Sequence, residues 1–90
     1  MKSMTALMDT IIYDESKRDK FYEQLRLNII ESRKKRKVTQ NELSMLINQS
    51  ASCINKIENG CCTPTLCTII NICVVLDMRL EEIIPYEYLE

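Results

Sequence analysis

The chain has no histidine and no tryptophan, one glycine and two prolines among 90 residues. Without histidine it lacks the side chain best suited to acid–base chemistry near neutral pH, and the commonest nitrogen ligand for metals. One glycine cannot build the glycine-rich loops that cradle nucleotide phosphates. No apolar run approaches the ~20 residues that a membrane span needs. The five cysteines (Cys53, Cys61, Cys62, Cys67, Cys73) contain no Cys-x-x-Cys pair, so neither a structural metal nor a cofactor is expected. An odd count with no signal-peptide pattern speaks against a secreted disulfide framework. The expectation is reduced thiols acting as small apolar groups in a cytoplasmic protein. The carboxylates fall at helix ends or in surface patterns and converge on no cleft, so no enzyme is expected.

What is present is enough for one globular domain: 46% hydrophobic and 28% charged residues. The net charge of −1 does not by itself point to a polyanion. Its distribution is more telling. Arg33, Lys34, Lys35, Arg36 and Lys37 are consecutive, whereas Lys56 is the one basic residue between Val38 and Pro64. The run suits a solvated helix end, where cations oppose the helix dipole, and equally a phosphate-facing surface.

With so few breakers, the apolar spacing predicts five helices. The first runs from a Ser16/Asp19 capping pattern to about Arg36, with Phe21, Tyr22, Leu25 and Ile29 at helical intervals. Thr39 with Glu42 reads as the capping box of a second helix, whose buried face is Leu43, Leu46 and Ile47. Asn48 stands at the turn because asparagine tolerates the left-handed backbone. Ser50 is the expected N-cap of a short third helix with Ile54 and Ile57 inward, closed by Asn59-Gly60. Pro64-Thr65 open a fourth helix, with Leu66, Ile69, Cys73 and Leu76 as its core face, ended by Asp77. A fifth helix around Leu80–Ile83 stops before Pro85, and a loosely held tail is expected beyond it. The expected layout is an extension over 1–20, a domain over 21–84 and a tail over 85–90.

Two short helices joined by a tight turn, the second opening on small polar residues, have the geometry to lay that second helix in a major groove. The stretch is similar to the Cro/phage-repressor (XRE-like) helix-turn-helix DNA-binding family. The matching residues are Arg33, Thr39-Gln40, Glu42-Leu43, Leu46-Ile47, Ser50, Ile54, Ile57-Glu58, Gly60, Pro64, Ile69, Ile72-Cys73, Leu76, Leu80 and Ile83. The resemblance implies an all-α, five-helix, lambda-repressor-like domain with an N-terminal extension, its helix-turn-helix at about 39–58. It implies a dimeric transcriptional regulator, a repressor, on a palindromic operator in double-stranded DNA. It also assigns roles. Gln40 contacts phosphate. Ser50, Ala51, Ser52 and Asn55 face DNA at the start of the recognition helix. Lys56 reaches a base or the backbone, and Asn59 the backbone. Arg33 and Glu58 form an internal salt bridge.

The departures from the family pattern are informative. Lys37 and Asn48 replace glycines, Ser44 replaces alanine, and Gln49 an apolar residue. Ala51 is too short for bidentate base contacts, and Ser52 reads bases weakly. Specificity is therefore expected from Asn55, Lys56 and DNA shape. On the fourth helix Cys67, Ile70 and Val74 form a second apolar stripe, the candidate homodimer interface. Leu7, Met8, Ile11 and Ile12 make the extension a second apolar element, packing on the domain or across a dimer. The other reading of the same fold is a protein-binding module, such as an antitoxin or anti-regulator. Cys53 beside Cys61-Cys62 also raises a thiol switch.

Overall fold

The computed structural model describes residues 15–89. They form α1 (Glu15–Lys35), α2 (Gln40–Leu46), α3 (Cys53–Glu58), α4 (Leu66–Val75), α5 (Leu80–Ile83) and a 3₁₀ turn over Tyr86–Tyr88. No strand occurs among the described residues. Leu7, Met8, Ile11 and Ile12 lie outside them.

α1 opens with Glu15 and closes with Arg33, Lys34 and Lys35, charges that complement its dipole at both ends. Ser16, expected as its N-cap, already lies within its first turn. Leu25, Ile29 and the stem of Arg33 are its buried stripe. Around that stripe gather Leu43 and Ile47 of the second helix region, Ile54 and Ile57 of α3, Ile69, Ile72, Cys73 and Leu76, and Ile83. They come from five successive segments of the chain, and the core is one cluster rather than a pair of layers.

Two apolar residues are not where their spacing puts them. Leu46 is 59% exposed and Leu66 is 64% exposed. On α2 the buried positions are Leu43, Ser44 and Ile47, and Leu46 projects from the other side of that arc. On α4 the inward line is Ile69, Ile72, Cys73 and Leu76. Leu66 starts the helix one turn ahead of that line, beyond the last neighbour able to cover it. The tail also differs from expectation. Pro85 is buried, and the 3₁₀ turn packs on α1. Asn28 fixes the approach: its Nδ2 donates to Ile83 O at 2.8 Å, while its Oδ1 accepts from Gln24 Nε2 at 2.9 Å.

Four helices end by the same device. A residue turns left-handed, and the N–H after it reaches back five residues. Lys37 has φ 57°, Asn48 φ 59°, Asp77 φ 50° and Gly60 φ 77°. The closing bonds are Val38 N to Arg33 O (3.2 Å), Gln49 N to Ser44 O (2.9 Å), Met78 N to Cys73 O (3.0 Å) and Cys61 N to Lys56 O (2.9 Å). These satisfy carbonyls that a helix terminus otherwise leaves unpaired. Three of the four left-handed sites carry a Cβ, which costs about 1 kcal/mol at a lysine and less at an asparagine or aspartate. Lys37→Gly is therefore expected to raise stability by about 1 kcal/mol, and Asn48→Gly by less, as read from urea midpoints at constant slope.

Candidate nucleic-acid interface

The second helix is placed by its cap. Thr39 Oγ1 accepts from Glu42 N at 3.1 Å, and Thr39 N donates to Glu42 Oε1 at 3.3 Å, a complete capping box. Three hydrophobic residues (Leu43, Ile54, Ile57) then join α2 to α3 across the core. A buried hydroxyl sets the angle between them. Ser44 Oγ donates to Gln40 O at 2.9 Å and accepts from Ile54 N at 3.0 Å, so α2 supplies a partner for an otherwise open N–H in the first turn of α3. The sequence foretells the first bond, a serine bonding back along its own helix, but not the second.

α3 begins later than expected. Its N-cap position is Ser52, in the αR region and with no side-chain capping bond. Ser50 contributes its carbonyl instead, accepting from Cys53 N at 3.0 Å. Ser50 is thus not a side-chain cap. A turn over Ala51 and Ser52 leads into the helix. Ile54 and Ile57 are buried, while Ser50, Ala51, Ser52, Asn55, Lys56 and Asn59 are all exposed. These six form one continuous outward face at the start and along the side of α3.

Behind that face lies a buried ion pair. Arg33 Nε donates to Glu58 Oε2 at 2.7 Å and Arg33 Nη2 to Glu58 Oε1 at 3.0 Å, a bidentate fork. The two side chains are only 9% and 3% exposed. Arg33 Nη1 donates to Val38 O at 2.9 Å. Glu58 also accepts from Gln40 Nε2 at 2.8 Å. Gln40 Oε1 in turn accepts from Asn55 Nδ2 at 3.0 Å, and Asn55 Oδ1 from Asn59 Nδ2 at 3.1 Å. A chain of hydrogen bonds thus runs from the core to the exposed face, through three residues assigned to DNA by resemblance. Among the described residues no buried side-chain polar atom is left without a partner.

Residues 28–88, which include both helices, the serine clasp and the ion pair, match the family model of the Cro/C1-type HTH DNA-binding domain. The chain belongs to that family. It carries a DNA-binding domain of the Cro/C1 type, a family typically without enzymatic activity. No curated protein and no solved structure shows significant similarity to it.

The rest of the basic run divides. Arg33 is internal, whereas Lys34, Lys35, Arg36 and Lys37 are exposed. Arg36 Nη2 donates to Asp77 O at 3.4 Å, tying the run to the end of α4. All five cysteines are free thiols. Burial pushes the Cys53 thiol above its ordinary range, the neighbouring Cys62 adds to that, and Lys56 opposes it. Burial does the same to Cys73, with Glu82 reinforcing it. A thiol held protonated is a poorer nucleophile and a poorer target for oxidants, which weakens the case for a switch centred on Cys53. No group of described side chains forms a metal site, and no described helix is long and apolar enough to cross a membrane.

Removing one partner of the ion pair strands the other charge in a nearly dry site. Glu58→Ala is expected to destabilise the fold by about 3–5 kcal/mol in urea unfolding. An effect below about 1 kcal/mol would mean that water reaches Arg33 and that the pair does not organise the face.

Proposed function

We propose that the chain is a transcriptional repressor that binds a palindromic operator in duplex DNA as a homodimer, in the cytoplasm and without catalytic activity. The observation that carries this reading is the outward face of α3, held by the hydrogen-bond chain that starts at Glu58. Asn55 is bonded at both ends of its amide, so its rotamer is fixed before DNA arrives, which reduces the ordering cost of binding. Asn55 and Lys56 read bases, and Ala51 and Ser52 approach them closely. Ser50, Gln40 and Asn59 meet phosphate. The recognition unit spans about 39–58 within a domain of 21–84.

One such unit makes few contacts, and a two-fold pair reading half-sites one helical turn apart supplies the rest. α4 offers the surface. Cys67, Ile70 and Val74 are exposed, Val74 to 73%. None of the ten residues of α4 is charged. A self-pairing interface sets one patch against the same patch, so an uncharged face avoids like-charge repulsion. Exposed Leu46 borders Val74 across a shallow groove and widens the apolar patch.

A second reading, a protein-binding module such as an antitoxin or anti-regulator, draws on the short side chains of Ala51 and Ser52 and on exposed Met45 and Leu46. Salt separates the two. Phosphate-dominated binding weakens steeply as salt rises, and apolar protein docking does not.

Selection from random duplex DNA is expected to return a palindrome. On that duplex, Asn55→Ala and Lys56→Ala should each lose about 1–3 kcal/mol of binding at fixed salt. A pool with no enriched sequence would overturn the operator reading. Val74→Glu should halve the molecular mass by light scattering. An unchanged mass would remove α4 from the interface.

A further inference from the structure

The family match begins at residue 28, yet α1 runs unbroken from Glu15. The turns that precede the match are not idle. Arg26, half-buried, lays its guanidinium over the bare Cα of Gly60. A Cβ placed on that glycine would meet Arg26 Cζ and Nε at 3.6 Å. Gly60 directly follows Asn59, the last residue of the outward face, so Arg26 sits at the edge of that face although it is 34 positions earlier in the chain.

The charge accounting is what makes this placement informative. Among the described residues Arg26 has no ion pair and no side-chain hydrogen bond. Its neighbour across the cleft, Arg18, is already engaged by Glu15 at 3.3 Å and Asp19 at 3.9 Å. The same cleft is lined by Tyr22 and Thr63, whose hydroxyls add polar partners, and by Asp19, an exposed carboxylate that shares Arg18 with Glu15. The loop that Arg26 touches, from Gly60 to Thr65, carries no charge of its own. A partly desolvated guanidinium with five donors and no acceptor, fixed beside a neutral loop, fits an anion supplied from outside.

We propose that Arg26, with Thr63 beside it, binds a phosphate of the DNA backbone flanking the half-site. The helical extension of α1 would thereby lengthen the footprint beyond the family domain. The proposal rests on the DNA-binding reading above. A backbone contact of this kind positions the protein and carries no base information. Its signature is therefore a uniform loss on all duplexes, unlike the loss at Asn55.

The test measures binding of the full chain to its selected duplex and to an unrelated duplex from 50 to 300 mM salt. Arg26→Gln keeps the stem over Gly60 and removes the charge. It should weaken both duplexes alike, by about five- to ten-fold at the lower salts, and reduce the slope of log K against log salt by about 0.9 per site lost. Arg26→Lys should recover most of the slope. An independent measurement needs no variant: modification of Arg26 by phenylglyoxal, read by peptide mass, should slow when duplex is added. Equal affinity and slope for wild type and Arg26→Gln, or equal modification with and without duplex, overturns the phosphate site while leaving DNA binding intact. A wild-type chain that retains no duplex at any salt overturns the DNA-binding reading itself.

Discussion

The recognition face depends on one buried ion pair. Arg33 at the end of α1 and Glu58 at the end of α3 are 25 residues apart in sequence and meet in a two-pronged contact almost closed to water. Two charges taken out of water are costly, and a pair of this kind adds little net stability over a well-packed apolar substitute. Its value lies in direction. A bidentate fork has one good geometry, so it fixes the end of α3 against α1 more tightly than apolar contact would. Glu58 then has lone pairs to spare, and these orientate Gln40, which orientates Asn55, which orientates Asn59. An electrostatic constraint inside the domain is converted step by step into the position of side chains on its surface.

The start of α3 is governed differently. There the clasp is Ser44, whose hydroxyl ties Gln40 O to Ile54 N inside the core. An alanine at that position leaves the Ile54 N–H to find water or distort the turn. The helix is therefore held at one end by a hydroxyl and at the other by an ion pair, with only Ile54 and Ile57 as apolar anchors between. Six residues are too few to be stable as a helix alone. Tertiary bonds define it: Ser44 Oγ holds Ile54 N at its start, while the chain enters through a turn in which Ser50 O accepts from Cys53 N and Ser52 O from Lys56 N.

The parts of this architecture that are legible in the sequence are those set by local rules. The Thr39/Glu42 box, the left-handed Asn48 and Gly60 and the stop at Asp77 need only neighbouring residues. Arg33 and Glu58 are legible through resemblance alone, since nothing local links positions so far apart. Leu46 and Leu66 misled because periodicity describes a face but not whether anything covers it. On a seven-residue helix, one polar residue with two good partners displaces a leucine from the core. Ser50 misled for a related reason: its type suits a cap, but the first turn of α3 was already satisfied from Ser44. The buried Pro85 and the packed tail were hidden because their cover is the distant first helix, whose Asn28 bonds Ile83 O, 55 residues later, just before them.

A chain with a net charge of −1 must solve an electrostatic problem to hold DNA, and its layout shows how. The helix-turn-helix carries one lysine, Lys56, beside the hydroxyls of Ser50 and Ser52 and the amides of Gln40 and Asn55, while its exposed Glu42 is negative. Neutral donors discriminate between positions but release few counterions, so each subunit gains little non-specific affinity. Cations at the periphery, on the exposed part of the basic run and at Arg26 as proposed above, can supply that missing term without crowding the groove. In the proposed homodimer an uncharged α4 would let two subunits add their small contributions, because like charge does not oppose association there. Short side chains on the proposed reading face and a neutral α4 would then be parts of one arrangement. On that proposal, a single domain with few contacts would become selective only when a correctly spaced second copy is bound beside it.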